Sequence, residues 1–241
     1  MDQNSISCHK GSAVVTGASS GIGLAISMML MNLGYDVYGI GRHFDDEDYG
    51  FHKINCDITD TDKLISKLSD VRNVNVLVNC AGVAFYGLHE NISADMITQM
   101  IKTNLEAPMI LTGHYLPVFK RQGGGTIINI SSVTAYKVNT YGAVYGALKA
   151  GLSSFGASVF DEARKHNVKV IEICPDMTDT KLYRNADFTC DKDPMCHLDP
   201  EDVAQAVKSA LEMSTNCCVT KLTIVPQKLR IKRRDSYENR S

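Results

Sequence analysis

A chain of 241 residues with 44% hydrophobic and 22% charged residues can bury a full core, and it fits one large α/β domain over 1-241 better than two small ones. The net charge of -2 gives no global reason to expect nucleic acid, and no apolar run approaches the roughly 18 residues of a membrane span. The polar start Met1-Asp2-Gln3-Asn4-Ser5 lacks the basic and apolar segments of a leader, so a soluble cytoplasmic protein is expected.

After a polar arm over 1-10, short β-branched runs alternate with helical patterns. Strands are expected at Ala13 to Thr16, Asp36 to Ile40, Lys53 to Cys56 and Asn75 to Asn79, with helices after Gly21 and from about Thr61. The second half repeats the rhythm. It has a long helix from about Ser93, a strand at Thr126 to Ser131, a helix around Tyr145 to His166 and a strand at Lys169 to Cys174. A further helix starts near Pro200-Glu201-Asp202, where Asp199 can cap, and a last strand spans Lys221 to Val225. This alternation predicts an α/β, Rossmann-type doubly wound parallel sheet of about seven strands with helices on both faces. The tail over 228-241, with Lys228, Arg230, Lys232, Arg233 and Arg234, reads as a solvated basic terminus.

Cys56, Cys80 and Cys174 lie within or beside apolar runs, where a free thiol packs as a small hydrophobe, so a reducing compartment is expected. Cys190, Cys196 and His197 fall close to Asp191 and Asp193 without Cys-x-x-Cys spacing, and no metal is expected.

In doubly wound sheets ligands gather outside the carboxyl ends of the strands. Thr16-Gly17, Gly41-Arg42, Asp57, Asn79 to Gly82, Ser131-Ser132 and Pro175-Asp176 all follow predicted strands and should converge on one crevice. Gly17, Gly21 and Gly23 open the first helix, so its N–H groups can meet a pyrophosphate with no Cβ in the way. Such a turn alone also serves as an ordinary strand-to-helix connection. Where a carboxylate would bind the adenosine 2′-hydroxyl stand Gly41 and Arg42, and a guanidinium pairs with a 2′-phosphate. NADP(H) is therefore favoured over NAD(H), although Asp45, Asp46, Glu47 or Asp48 can still fold back to the ribose.

Tyr145 and Lys149 are four apart and share one helix face. At ~4 Å and an effective dielectric near 20 their attraction is about 4 kcal/mol before desolvation, enough to bring a phenol from about 10 to near 7. Packing on a helix surface is the plainer explanation of such a pair taken alone. Ser132, at the end of an adjoining strand, offers a hydroxyl to a substrate oxygen, while Ser131 would face the other way. Asn104 falls inside a long helix, where an amide is a poor helix former and can hold a water near Lys149 or simply face solvent.

These residues resemble the short-chain dehydrogenase/reductase family from about Gly11 to Val225. Its T-G-x-x-x-G-x-G stands at Thr16 to Gly23, its N-N-A-G at Asn79-Cys80-Ala81-Gly82 and its Y-x-x-x-K at Tyr145 to Lys149. The resemblance implies a tetrad of Asn104, Ser132, Tyr145 and Lys149, with Tyr145 as acid/base, Ser132 polarising the carbonyl, Lys149 holding the nicotinamide ribose and Asn104 supporting a relay water. It also implies that Gly17, Ser19, Ser20, Gly21, Ile22 and Gly23 cradle the cofactor, with Arg42, Asp57, Ile58, Asn79, Ala81, Gly82, Pro175, Thr178 and Thr180 around it. A homotetramer or homodimer through the two long helices is further implied. Two departures stand out: Cys80 replaces the second asparagine, and Asp176 replaces the glycine after Pro175.

The expected function is an NADP(H)-dependent oxidoreductase that interconverts a small-molecule secondary alcohol and ketone. Hydroxysteroid, other hydrophobic ketone, 3-oxoacyl and 3-hydroxy acid substrates all suit it. Tyr136, Val138, Tyr141, Val144, Met177, Leu182 and Tyr183 are expected pocket walls, and Asp179 to Leu198 a polar lid. The competing readings are a non-catalytic NADP(H)-binding regulator or scaffold, and an epimerase or dehydratase without net cofactor turnover.

Overall fold

The computed structural model describes residues 10–233. Seven parallel strands lie in the order β3-β2-β1-β4-β5-β6-β8: β1 Ser12–Thr16, β2 Asp36–Gly41, β3 His52–Asn55, β4 Val74–Asn79, β5 Gly125–Ile130, β6 Val168–Pro175 and β8 Lys221–Ile224. From β1 the chain winds outward through β2 and β3, then returns to β4 on the other side of β1. That reversal opens a crevice past Thr16 and Asn79.

Adjacent residues on each central strand go to opposite layers, as the strand period of two requires. Val15, Val78, Ile128 and Ile171 pack under α1 (Gly21–Asn32) and α6 (Pro200–Leu211), through Ile26, Leu30, Val203 and Val207. Their neighbours Val14, Leu77, Ile127 and Val170 pack under α2 (Thr61–Leu68), α4 (Ala107–Arg121) and α5 (Ala143–Ala163), through Leu64, Leu111, Phe119 and Val159. Apolar cores on both faces explain why the strands read as continuous apolar runs. Before α6 the expected cap forms, and the Asp199 N–H donates to Asp202 Oδ2 at 2.8 Å.

The single long helix expected from Ser93 is instead α3 (Ala94–Ile101), a π-turn at Lys102–Glu106 and then α4. Pro108 is the physical reason in part: it has no N–H to give to the carbonyl of Asn104 four residues back. A second correction concerns the tail. Ile231–Arg233 (β9) pairs antiparallel with Phe188–Cys190 (β7), so the described part of the basic segment, exposed as expected, is a strand tied to the lid. Lys228 Nζ reaches Asp193 Oδ2 at 3.1 Å, and Arg230 reaches Asp191 at 3.0 Å and Asp193 at 3.1 Å. Arg234 lies outside the described residues. No described helix is long and apolar enough to cross a membrane.

Candidate active site

One cleft of about 540 Å³ runs along the carboxyl ends of the strands, within the range of small-ligand sites. At one end, Gly17, Ser19, Ser20, Gly21, Ile22 and Gly23 line it. Gly17 takes φ +73°, and a Cβ there would stand 2.9 Å from the Ala81 Cα; one on Gly23 would stand 2.2 Å from the Gly17 carbonyl oxygen. No side chain caps the first turn of α1 and no acidic residue lies in it, so its N–H groups and positive dipole end are left for an anion. Thr180 leans over the same turn, since a Cβ on Gly21 would meet its methyl at 3.2 Å.

The Thr16 hydroxyl oxygen accepts from Cys80 N–H at 2.9 Å and Ala81 N–H at 3.1 Å, pinning the loop after β4 to β1. Cys80, Ala81 and Gly82 line the cleft. Asn79 does not: buried, it donates from Nδ2 to Asn129 Oδ1 at 2.9 Å and ties β4 to β5, which keeps the sheet-stabilising role that the family resemblance implies for it and corrects its place against a cofactor. Burial pushes the Cys80 thiol up to about 12, so it is a neutral wall of the cleft.

Arg42 and Asp57 line the far end. Burial raises the Asp57 carboxyl, but hydrogen bonds from the Thr59 N–H and hydroxyl, with the Arg42 charge, outweigh it and hold it below the usual carboxylate range. Asp45 accepts from the Tyr49 hydroxyl at 2.8 Å and Asp48 from Gly50 N–H at 2.9 Å, and neither reaches the cleft. Ile58 is a second correction. It is buried among the α2 and α4 core residues, and Thr59 lines the cleft in its stead.

Ser132, Tyr145 and Lys149 meet in the middle of the cleft with Pro175, Asp176 and Thr178. Lys149 Nζ donates to the Ile130 carbonyl at 2.7 Å and stands 5.5 Å from the Tyr145 ring centroid. The expected phenol near 7 is not what this geometry produces. Burial drives Tyr145 well above 10, and burial brings Lys149 down to about 8. Desolvation is the largest cause for both groups, and the ammonium is turned to the Ile130 carbonyl. Ser132 Oγ accepts from Thr134 N–H at 3.2 Å, which leaves its O–H free to donate into the cleft. Ser131 also lines the cleft, but its hydroxyl donates to the Lys149 carbonyl at 3.4 Å.

Asn104 is fully buried at the π-turn and its amide is spent on protein. Nδ2 donates to the carbonyls of Val83 at 2.8 Å and Met100 at 2.9 Å, and Oδ1 accepts from Val83 N–H at 3.3 Å. A side-chain water relay is therefore corrected to a clamp on the loop after β4. Of the expected walls, Leu182 and Tyr183 line the cleft, while Tyr136, Val138 and Tyr141 are exposed outside it. Met177 and Val144 do not line it either, Val144 packing beside Tyr145 and Leu148. Thr98 and Gln99 of α3, Lys102 of the π-turn, and Lys181 and Arg184 of the lid, line it without any signal in the sequence beyond their neighbours. Tyr86 also escaped the sequence reading; its ring centroid is 6.2 Å from that of Tyr145 and 5.0 Å from that of Phe188 on β7.

Phe188 thus links the tail strand to the tyrosine. Arg230→Glu is expected to place like charges against Asp191 and Asp193, speed backbone hydrogen exchange over 188–198 and raise KM severalfold with a smaller change in kcat. Unchanged exchange in that segment would show that the tail does not hold the lid.

Fold and cleft together define a Rossmann-type α/β protein with its site at the topological switch point. The sequence profile of the short chain dehydrogenase family matches residues 12–190. An uncharacterized oxidoreductase of Staphylococcus haemolyticus is 32% identical over 227 residues, covering 89% of this chain and 96% of that protein. Among solved structures, an alcohol dehydrogenase from the archaeon Thermococcus sibiricus complexed with 5-hydroxy-NADP has a TM-score of 0.80 at 23% identity over 91% of this chain and 98% of that one, a likeness of fold alone. A metagenomic short-chain oxidoreductase in complex with NADP has a TM-score of 0.75 at 27% identity, over 93% of this chain and 100% of that one. Serine dehydrogenase from Escherichia coli has 0.77 at 25%, over 89% and 97%. The chain belongs to the short-chain dehydrogenase family and is an oxidoreductase of it.

Proposed function

We propose that this oxidoreductase uses NADP(H) to interconvert a secondary alcohol and a ketone, with Tyr145 as proton donor and acceptor. The observation that carries the reading is the buried meeting of Ser132, Tyr145 and Lys149 in a cleft that also contains the glycine turn and Arg42. The residues fit a dinucleotide phosphate: Gly17 and Gly23 clear the space that a Cβ would fill, the first turn of α1 would hold the pyrophosphate, and Arg42 would pair with a 2′-phosphate. Bound there, the nicotinamide supplies the hydride chemistry.

The protein's part is orientation and proton transfer. Ser132 O–H and Tyr145 O–H donate to the ketone oxygen, and as that oxygen gains negative charge Tyr145 hands over its proton. A phenol held well above 10 is protonated at neutral pH, which is the form a reductase needs. Lys149 keeps donors beyond the one on Ile130, for the cofactor ribose and for the charge left on Tyr145. Assembly as a homodimer or homotetramer through the outer faces of the long helices, where Ile110 is exposed, belongs to the same reading.

The test is absorbance of the reduced nicotinamide while ketones and secondary alcohols are offered with NADP(H) and NAD(H) in parallel. Turnover with NADP(H) is expected. Arg42→Glu is expected to lower the preference for NADPH over NADH by about 10- to 100-fold, the worth of one charge-assisted hydrogen bond of about 1.5–3 kcal/mol. A wild type that prefers NADH would overturn the cofactor assignment.

A further inference from the structure

Asp176 puts a carboxylate in the same cleft as Ser132, Tyr145 and Lys149. Strands β5 and β6 are paired with Ile130 opposite Ile173, and Ser131 N–H continues the ladder to the Ile173 carbonyl at 2.8 Å. Ser132 and Asp176 therefore leave neighbouring strands about 4.8 Å apart, one residue out of step. Asp176 is held in place: its N–H donates to the Ile224 carbonyl at 3.0 Å, and its carbonyl accepts from the Thr178 hydroxyl at 2.9 Å. Its Oδ1 accepts from Met177 N–H at 2.9 Å, and its Oδ2 stands 3.7 Å from Lys137 Nζ, from the loop that follows Ser132. The Asp176 side chain is 21% exposed, whereas that of Lys137 is 55% exposed, so the lysine approaches from the solvent side.

An ionised carboxylate has about four acceptor positions and no donor. One is taken by Met177 and one faces Lys137 at a length beyond a hydrogen bond, which leaves acceptor capacity for a ligand in the cleft. A wholly apolar ketone placed against it would strip its water and return no hydrogen bond. A carboxylate or phosphate there would meet a like charge. A hydroxyl or an ammonium meets neither objection.

Resting on the proposed alcohol–ketone chemistry, we infer that the physiological substrate carries a hydrogen-bond donor, a hydroxyl or an ammonium, on the carbon next to the one that reacts, and that Asp176 receives it. The enzyme then acts on a vicinal diol or amino alcohol in preference to a plain hydrophobic alcohol or a hydroxy acid. The step itself is unchanged: towards the alcohol, hydride from NADPH reaches the carbonyl carbon as the Tyr145 O–H gives its proton to the oxygen; towards the ketone the same atoms move back, the alcohol proton going to the Tyr145 phenolate, the minor form at neutral pH, and the neighbouring donor stays intact.

Four alcohols on one ring skeleton test this with NADP+ and the purified chain: cyclohexanol, cyclohexane-1,2-diol, 2-aminocyclohexanol and 2-hydroxycyclohexanecarboxylate. The diol or the amino alcohol is expected to exceed cyclohexanol about tenfold or more in kcat/KM, the worth of one hydrogen bond to a charged group, with the carboxylate lowest. In Asp176→Gly the ratio of diol or amino alcohol to cyclohexanol in kcat/KM is expected to fall below about threefold. In the isosteric Asp176→Asn the amino alcohol is expected to lose more than the diol, and Lys137→Met should favour the amino alcohol alone, which tells the two donors apart. Equal turnover of cyclohexanol, diol and amino alcohol by the wild type overturns the inference and leaves the oxidoreductase chemistry standing. So does an Asp176→Gly enzyme slowed equally on all four, since the carboxylate then only braces Lys137. No turnover of any alcohol, nor of the matching ketones with NADPH, overturns both readings.

Discussion

Tyr145→Phe is expected to lower kcat at least 10²- to 10⁴-fold while NADP(H) affinity stays within a fewfold. The substitution deletes one oxygen and keeps the ring, so the Tyr86 contact at 6.2 Å and the Lys149 approach at 5.5 Å survive. The glycine turn and Arg42 sit elsewhere along the cleft and are untouched. What goes is the donor that neutralises the oxygen as the hydride arrives. Turnover by fluorescence-matched, NADPH-saturated mutant and wild type is the measurement. A mutant retaining more than a tenth of wild-type kcat would remove Tyr145 from proton transfer. It would then also remove the case for this pocket as a reductase site, because Ser132 alone cannot resupply a proton at neutral pH.

Much of this was legible in the chain because the sheet is buried on both faces. Val14-Val15, Leu77-Val78 and Ile127-Ile128 read as strands precisely where both neighbours need apolar cover, and the polar residues after them had to converge at the strand ends. Asn79 shows the limit of that logic. It ends a strand like the others, but its side chain points into the sheet toward Asn129, a direction fixed by strand phase that motif reading passes over. Ile58 fails in the same way, one residue out of step with Asp57. The β9 clasp was hidden for another reason. A run such as Lys228, Arg230 and Lys232 looks solvated until Asp191 and Asp193, some 35 to 39 residues earlier, are folded against it. The tyrosine's titration is not legible in the spacing, which supplies a Coulomb attraction and says nothing about burial, the largest cause here.

Lys149→Met is expected to stabilise the fold near neutral pH while removing most of the activity. Burial holds the Lys149 ammonium down to about 8, against 10.5 for an ordinary lysine, so the folded state binds fewer protons than the unfolded state between those values. Stability of the wild type therefore rises with pH across that window. Below about 8 the full penalty of a buried charge is present, of order 3 kcal/mol at ~1.4 kcal/mol per unit. Methionine escapes it but leaves the Ile130 carbonyl without its donor, a loss of about 1 kcal/mol, so a net gain of order 2 kcal/mol at pH 7 is expected. Urea unfolding of both proteins from pH 7 to 10.5 reads the difference, in which the tyrosines and cysteines they share cancel. The gap should close as pH rises; a gap independent of pH would mean that Lys149 is not a buried charge. The same titration governs catalysis. Reductive kcat is expected to fall as pH rises through about 8, because the ammonium that supports the Tyr145 phenolate is lost there, and Lys149→Met should sit about 10²- to 10³-fold lower with that limb absent. A charge kept at a cost to the fold and required by the reaction is what separates a working lysine from one that merely packs on a helix.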